Sequence, residues 1–173
     1  MKVFFRELVK GRFLGHPLHM MLVHFPAALF PFGFCMDILG RLFNDGVCAG
    51  AAFYATAVGT AAGIAAIAAG AIDYFKIPPQ DPALNKASLH ALMNGTWIFT
   101  FGLLTGLRMG QYPVFKPAEI WMLIISGLIN LGMLVSNYLG GDLVVKHHVG
   151  IHEAVKKTVG KKDPIQSALH SRN

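Results

Sequence analysis

Residues 46–72 read GVCAGAAFYATAVGTAAGIAAIAAGAI, 27 positions between Asp45 and Asp73 without one Asp, Glu, Lys or Arg. A helix rises about 1.5 Å per residue and needs about 20 apolar residues to cross the hydrocarbon core, so this run can span it. Three more charge-free runs, of 24, 21 and 22 residues, lie between Arg12 and Asp37, Lys86 and Arg108, and Glu119 and Asp142. In lipid only helices and closed barrels satisfy their own backbone groups, and these runs lack the alternation of barrel strands. The reading is an all-α integral membrane four-helix bundle, with helices near 18–41, 49–72, 87–108 and 119–139.

Composition agrees. Of 173 residues, 54% are apolar and 14% charged, where a soluble domain carries about 25% charged residues. That excludes a disordered chain, a soluble basic nucleic-acid binder and a disulfide-stapled secreted domain. Four spans put both termini on one face together with the loop 73–86. This terminal face carries twelve Lys and Arg, against three (Arg41, Arg108 and Lys116) on the other. Short loops make that imbalance a topology signal, and the terminal face is expected to be cytoplasmic. The net charge of +6 then reflects topology and attraction to anionic lipid rather than nucleic acid.

Three segments follow: 1–14, 15–151 and 152–173. The first sets Phe4, Phe5, Leu8, Val9 and Phe13 against Lys2, Arg6, Lys10 and Arg12, which suits an interfacial amphipathic segment and not a signal peptide. The second holds the four helices, and the third is a basic polar tail. Within the helices, Gly59 and Gly63, and Gly102, Gly106 and Gly110, recur every four residues and suit close intrachain packing. Pro26 and Pro31 should bend the first helix. Paired Gly140 and Gly141 should end the fourth, letting residues 143–150 fold back. Asp37 and Arg41, four apart, should pair with each other or reach water.

All eight histidines lie toward the terminal face: His16, His19, His24, His90, His147, His148, His152 and His170. Imidazole near hydrocarbon usually faces the helix bundle and marks a site. His24 is the deepest on the first helix. Its depth resembles that of His90, so these two are expected to face each other, with Asn94 one turn beyond His90. His16 and His19 should share a face at the helix mouth, and Asp73 is placed to orient an imidazole through its second nitrogen. Cys35 and Cys48 form no CxxC pair, and no CxxCH, Walker or nucleophile-elbow motif occurs.

The run Gly15-His16-Pro17-Leu18-His19-Met20-Met21-Leu22-Val23-His24-Phe25-Pro26 resembles the opening signature of a bacterial membrane family known as domain of unknown function 2231. Further landmarks match: an acidic residue like Asp37, Asp73 after a Gly/Ala-rich helix, His90 with Asn94, and the Gly140–Val144 turn. The resemblance covers residues 13–151 and implies four helices in a bacterial inner membrane. Met20 stands where the family often has a second proline, and His147 matches the family's closing histidine, with His148 added. The resemblance supplies no activity. It marks His16, His19, His24, His90 and His147 as one group.

Two functional readings follow. In the first, the protein is an electron-transfer or accessory subunit that holds b-type haem between helices, since non-covalent haem needs one or two axial histidines and an apolar pocket. His24 and His90 are the expected axial pair, with His19 and His147 as a second pair or propionate-side partners. Phe25, Phe30, Phe32, Phe34, Trp97 and Phe99 are candidates to pack against the macrocycle. Quinone or a redox protein would be its partner. In the second, the same imidazoles with Asp73 hold a Zn, Cu or Fe ion or relay protons. A structural subunit in a homo- or hetero-oligomer is a third possibility, and a stand-alone enzyme fits least.

Overall fold

The computed structural model describes residues 7, 10–13 and 16–150. Its elements are two short strands, β1 (Arg12–Phe13) and β2 (His16–Pro17), and five helices: α1 (Leu18–Leu22), α2 (His24–Phe43), α3 (Gly46–Tyr74), α4 (Ala83–Met109) and α5 (Ile120–Val145). The tail 152–173 lies outside the described residues, as does most of the segment 1–14. Where that segment is described it is not helical throughout: Arg12 pairs with Pro17 and Phe13 with His16 in an antiparallel ladder. The fold is mostly helical rather than wholly so.

Among the described residues three stretches are long and apolar enough to cross a membrane: Leu18–Phe43, Gly46–Tyr74 and Ile120–Val145, at mean hydropathies of 1.6, 1.7 and 1.7. α4 does not join them, because it carries Ser88, His90, Asn94, Thr96 and Thr100 among its apolar residues. The four long helices pack in sequence order, α2 on α3, α3 on α4 and α4 on α5, with α5 returning to α2 and α1 lying on α3.

Local chemistry explains the boundaries. The hydrogen-bond ladder of the first span is interrupted at Val23, because the ring of Pro26 would collide with the carbonyl of Leu22 and supplies it no N–H. Val23 keeps helical angles (φ −64°, ψ −20°), so the helical turn runs on from α1 into α2. Pro31, by contrast, stays inside α2. The two-residue connection to α3 uses Asn44 in the left-handed region (φ 52°) and Asp45, whose Oδ1 accepts from the Val47 N–H at 2.7 Å. Both choices are those the chain geometry favours. α4 begins at Ala83, four residues before the expected start, with its N–H donating to Asp81 Oδ1 at 2.8 Å.

Gly140 and Gly141 do not end α5, which continues to Val145. The reversal comes later, where His148 adopts φ 53° and the Val149 N–H closes on the Leu143 carbonyl at 3.0 Å. Val149 then packs on the cluster of Ala83, Ala87 and Leu143. The α3 glycines do serve close packing. A Cβ on Gly59 would lie 2.8 Å from the Phe30 ring, and one on Gly63 would overlap Ile98. Gly106 and Gly110 face open space, so the α4 glycine series is not a packing seam.

The core centres on Phe30 and Phe101, stacked with centroids 3.9 Å apart, among Ile98, Leu104, Ile129 and Met133. Next to it Asp37 meets not Arg41 but Arg108: Nη1 donates to Oδ1 at 2.8 Å and to Oδ2 at 3.1 Å, and Nη2 to the Ala49 carbonyl at 2.8 Å. Both side chains are under 10% exposed. Arg41 lies one turn from Asp37 on α2, but burial of Asp37 in the core leaves it within reach of a residue from another helix. The interaction joins α2, α3 and α4.

Breaking such a pair strands a charge, at a cost of about 3–5 kcal/mol, whereas replacing both members with apolar residues is close to neutral. Asp37→Ala should therefore lower unfolding stability in mixed micelles by about that amount. Asp37→Leu with Arg108→Met should recover most of it; a double variant as unstable as the single one would contradict this account of the pair.

Candidate functional site

Three imidazoles share one bonding pattern. His19, on α1, has Nδ1 2.7 Å from the Ala66 carbonyl of α3. His90, on α4, has Nδ1 2.9 Å from the Ser136 carbonyl of α5. His24 has Nδ1 2.6 Å from the Met20 carbonyl one turn back. A carbonyl only accepts, so each Nδ1 carries a proton, and in the neutral ring Nε2 then holds the lone pair. Donation of the second ring N–H to a backbone carbonyl is the usual way a metal-ligating histidine is oriented.

Position separates the three. His19 and His90 are half-buried, with ring centroids 6.4 Å apart and planes crossing at 85°. His24 is exposed. The imidazole facing His90 is thus His19, and the expected His24–His90 pair is not formed. The reason is helical phase. Five residues turn a helix by about 140°, so when His19 points inward His24 points away. His16 does not share a helical face with His19 either, because it sits on β2, before the helix starts at Leu18.

Missing side chains make room for both rings. A Cβ on Gly70 would lie 2.8 Å from His19 Nδ1, and one on Gly140 would lie 2.8 Å from His90 Cε1. The second glycine, expected as a helix stop, is instead a seat for imidazole. Asn94 braces His90: its Nδ2 donates to the His90 carbonyl at 2.8 Å and to Ser136 Oγ at 2.6 Å. Those bonds use both its N–H groups, so its 3.3 Å approach to the ring leaves the Nε2 lone pair free.

The other candidates lie elsewhere. Among the described residues Asp73 orients no imidazole; its Oδ1 takes Lys76 Nζ at 2.9 Å, and Lys76 also donates to the Lys10 carbonyl. His147 does not pair with His19. Its Nε2 accepts from Lys86 Nζ at 3.4 Å, and Lys86 also pairs with Asp142. Of the aromatic candidates, Phe25, Phe32 and Phe99 point outward, Phe30 belongs to the core stack, and Trp97 packs beside that core. Among the described residues no group of three His, Cys, Asp or Glu side chains is arranged to hold a metal ion.

One regularity identifies the pair. His19 and His90 are 71 positions apart, as are Phe30 and Phe101, and Asp37 and Arg108. The carbonyls that hold the imidazoles, Ala66 and Ser136, and the glycines beneath them, Gly70 and Gly140, are each 70 apart. The α1–α3 and α4–α5 halves therefore repeat one helix-pair plan, and equivalent residues meet each other, as they do on the axis of a two-fold dimer. The repeat was present in the sequence as an offset of 70 or 71 positions, between identical residues for His, Phe and Gly and between opposite charges for Asp37 and Arg108.

A family model described as "Predicted membrane protein (DUF2231)" matches residues 15–153. The chain belongs to that family. No curated protein and no solved structure matches it.

The tautomers give a direct check. Long-range nitrogen–proton NMR of ring-labelled protein should show His19 and His90 protonated at Nδ1 and bare at Nε2. Protonation at Nε2 would mean that the bonds to Ala66 and Ser136 are not made.

Proposed function

We propose that this family member is a four-span inner-membrane protein that holds b-type haem between His19 and His90 and passes single electrons. The observation that carries the reading is the oriented imidazole pair at 6.4 Å. Metal–nitrogen bonds of about 2 Å and about 1 Å from each nitrogen to its ring centre set two axial imidazoles about 6 Å apart across one ion. Ligand number favours haem over a bare ion. Structural zinc takes four protein ligands and catalytic zinc three, whereas haem iron takes one or two and has the macrocycle for the rest.

The residues fit the group in donor chemistry, and a ring separation of 6.4 Å is compatible with it. His19 and His90 present lone pairs, the Ala66 and Ser136 carbonyls hold the rings in that tautomer, and Gly70 and Gly140 give them room. Bound haem would supply a one-electron iron couple, with quinone or a redox protein as the exchange partner. Repacking around His19 and His90, rather than the outward-facing phenylalanines, would receive the macrocycle.

α4 is the fourth span on this reading. Its 27 residues reach about 40 Å, it packs against α3 and α5, and its Arg108 is neutralised inside the protein by Asp37. Both termini then face the cytoplasm, on the side rich in Lys and Arg.

The test is an absorption spectrum of detergent-purified protein from haem-replete cells, oxidised and then dithionite-reduced. Wild type should show a Soret band that sharpens on reduction, with α and β bands. His19→Ala or His90→Ala should abolish it, and His24→Ala should leave it intact. A colourless wild type, or loss of colour on His24→Ala with His19→Ala unaffected, would overturn the assignment.

A further inference from the structure

Where α4 begins and α5 ends, two lysines converge on one carboxylate. Lys86 Nζ pairs with Asp142 Oδ2, and Lys146 Nζ lies 2.5 Å from Asp142 Oδ1. The Asp142 side chain is 8% exposed, while those of Lys86 and Lys146 are 42% and 64% exposed. The carboxylate thus lies below and the ammonium groups stay reachable. One negative and two positive charges leave a net positive charge, with half-buried His147 beside Lys86.

The other half of the repeat is built differently. There Asp73 takes one side-chain cation, Lys76, and lies against Gly11 and Gly150. Among the described residues that cluster balances to zero, and the excess cation at the α4–α5 end comes from Lys86.

α5 is an apolar span ending at Val145, so Lys146 stands at the level of lipid headgroups. Tyr138 lies two turns back on α5 and is exposed. The Asp142 hydrogen bond and charge, with Tyr138 nearby, raise the Lys146 pKa above its ordinary value and keep the ammonium charged.

We infer that Lys86 and Lys146, positioned by Asp142, form a binding site for the phosphate of an anionic phospholipid headgroup. The inference is independent of the haem reading. Basic pockets between helices at a membrane surface bind such headgroups, and each lysine contributes through charge and N–H donation. Asp142 gathers the two ammonium groups by hydrogen bonding, which an amide oxygen can also accept, while its negative charge competes with the phosphate for them.

That competition makes the test two-sided. Native mass spectrometry of the full chain, with phosphatidylglycerol or cardiolipin against phosphatidylcholine, should show preferential retention of the anionic lipids. Lys86→Gln with Lys146→Gln should weaken that retention by about thirtyfold, and Asp142→Asn should strengthen it by about fivefold. The second variant keeps both lysines, so the inference stands or falls even where the first does not fold. Equal retention of neutral and anionic lipids, or weaker binding on Asp142→Asn, would overturn it. So would displacement of the lipid by inorganic phosphate, which assigns the site to a free anion. Loss of haem in the lysine variant without loss of lipid would assign the lysines to the cofactor.

Discussion

Everything in this fold is registered by the ion pair of Asp37 and Arg108. Lipid gives helices no hydrophobic reason to associate, so packing contacts and interhelical hydrogen bonds must hold them together. A guanidinium and a carboxylate in such helices also cannot be left unpaired without a large cost. Arg108 meets both demands at once by binding Asp37 of α2 and the Ala49 carbonyl of α3. Sliding α4 along α2 by one turn would separate the charges by about 5 Å, and the pair resists that slip.

The same register operates at the other end of the molecule. Eighteen residues make five turns of helix, so a residue 18 positions before Asp37 lies on the same face about 27 Å away. That residue is His19, and the one 18 positions before Arg108 is His90. Charge pairing at one end thus places imidazole opposite imidazole at the other, with the Phe30–Phe101 stack between. The repeat explains why the two rings are held alike, each by a carbonyl and a glycine, of α3 for His19 and of α5 for His90.

Much of this was legible in the chain. Charge-free runs located all four long helices, because charge is expelled from hydrocarbon wherever it has no partner. Pro26 announced the interrupted ladder at Val23. The partner of Asp37 was not legible from local spacing, since Arg41 lies one turn away and Arg108 is 71 residues away. Depth favours His24 over His19, and direction reverses that order, since His24 is exposed and His19 half-buried. Thirteen residues separate His24 from Asp37, a rotation of about 220°, which sets it outward; eighteen set His19 inward. Gly140 misled for a related reason: missing side chains end helices in water but admit a neighbouring ring inside a membrane protein.

The central claim is that His19 and His90 meet as a ligand pair with crossed planes. Electron paramagnetic resonance of the oxidised protein tests it most directly, because two axial imidazoles leave a signature of their mutual angle on low-spin ferric iron. Rings crossing at 85° should give a strongly anisotropic signal dominated by one low-field feature. A rhombic spectrum of coplanar rings, a high-spin signal from a single ligand, or no ferric haem signal in protein from haem-replete cells would contradict the account.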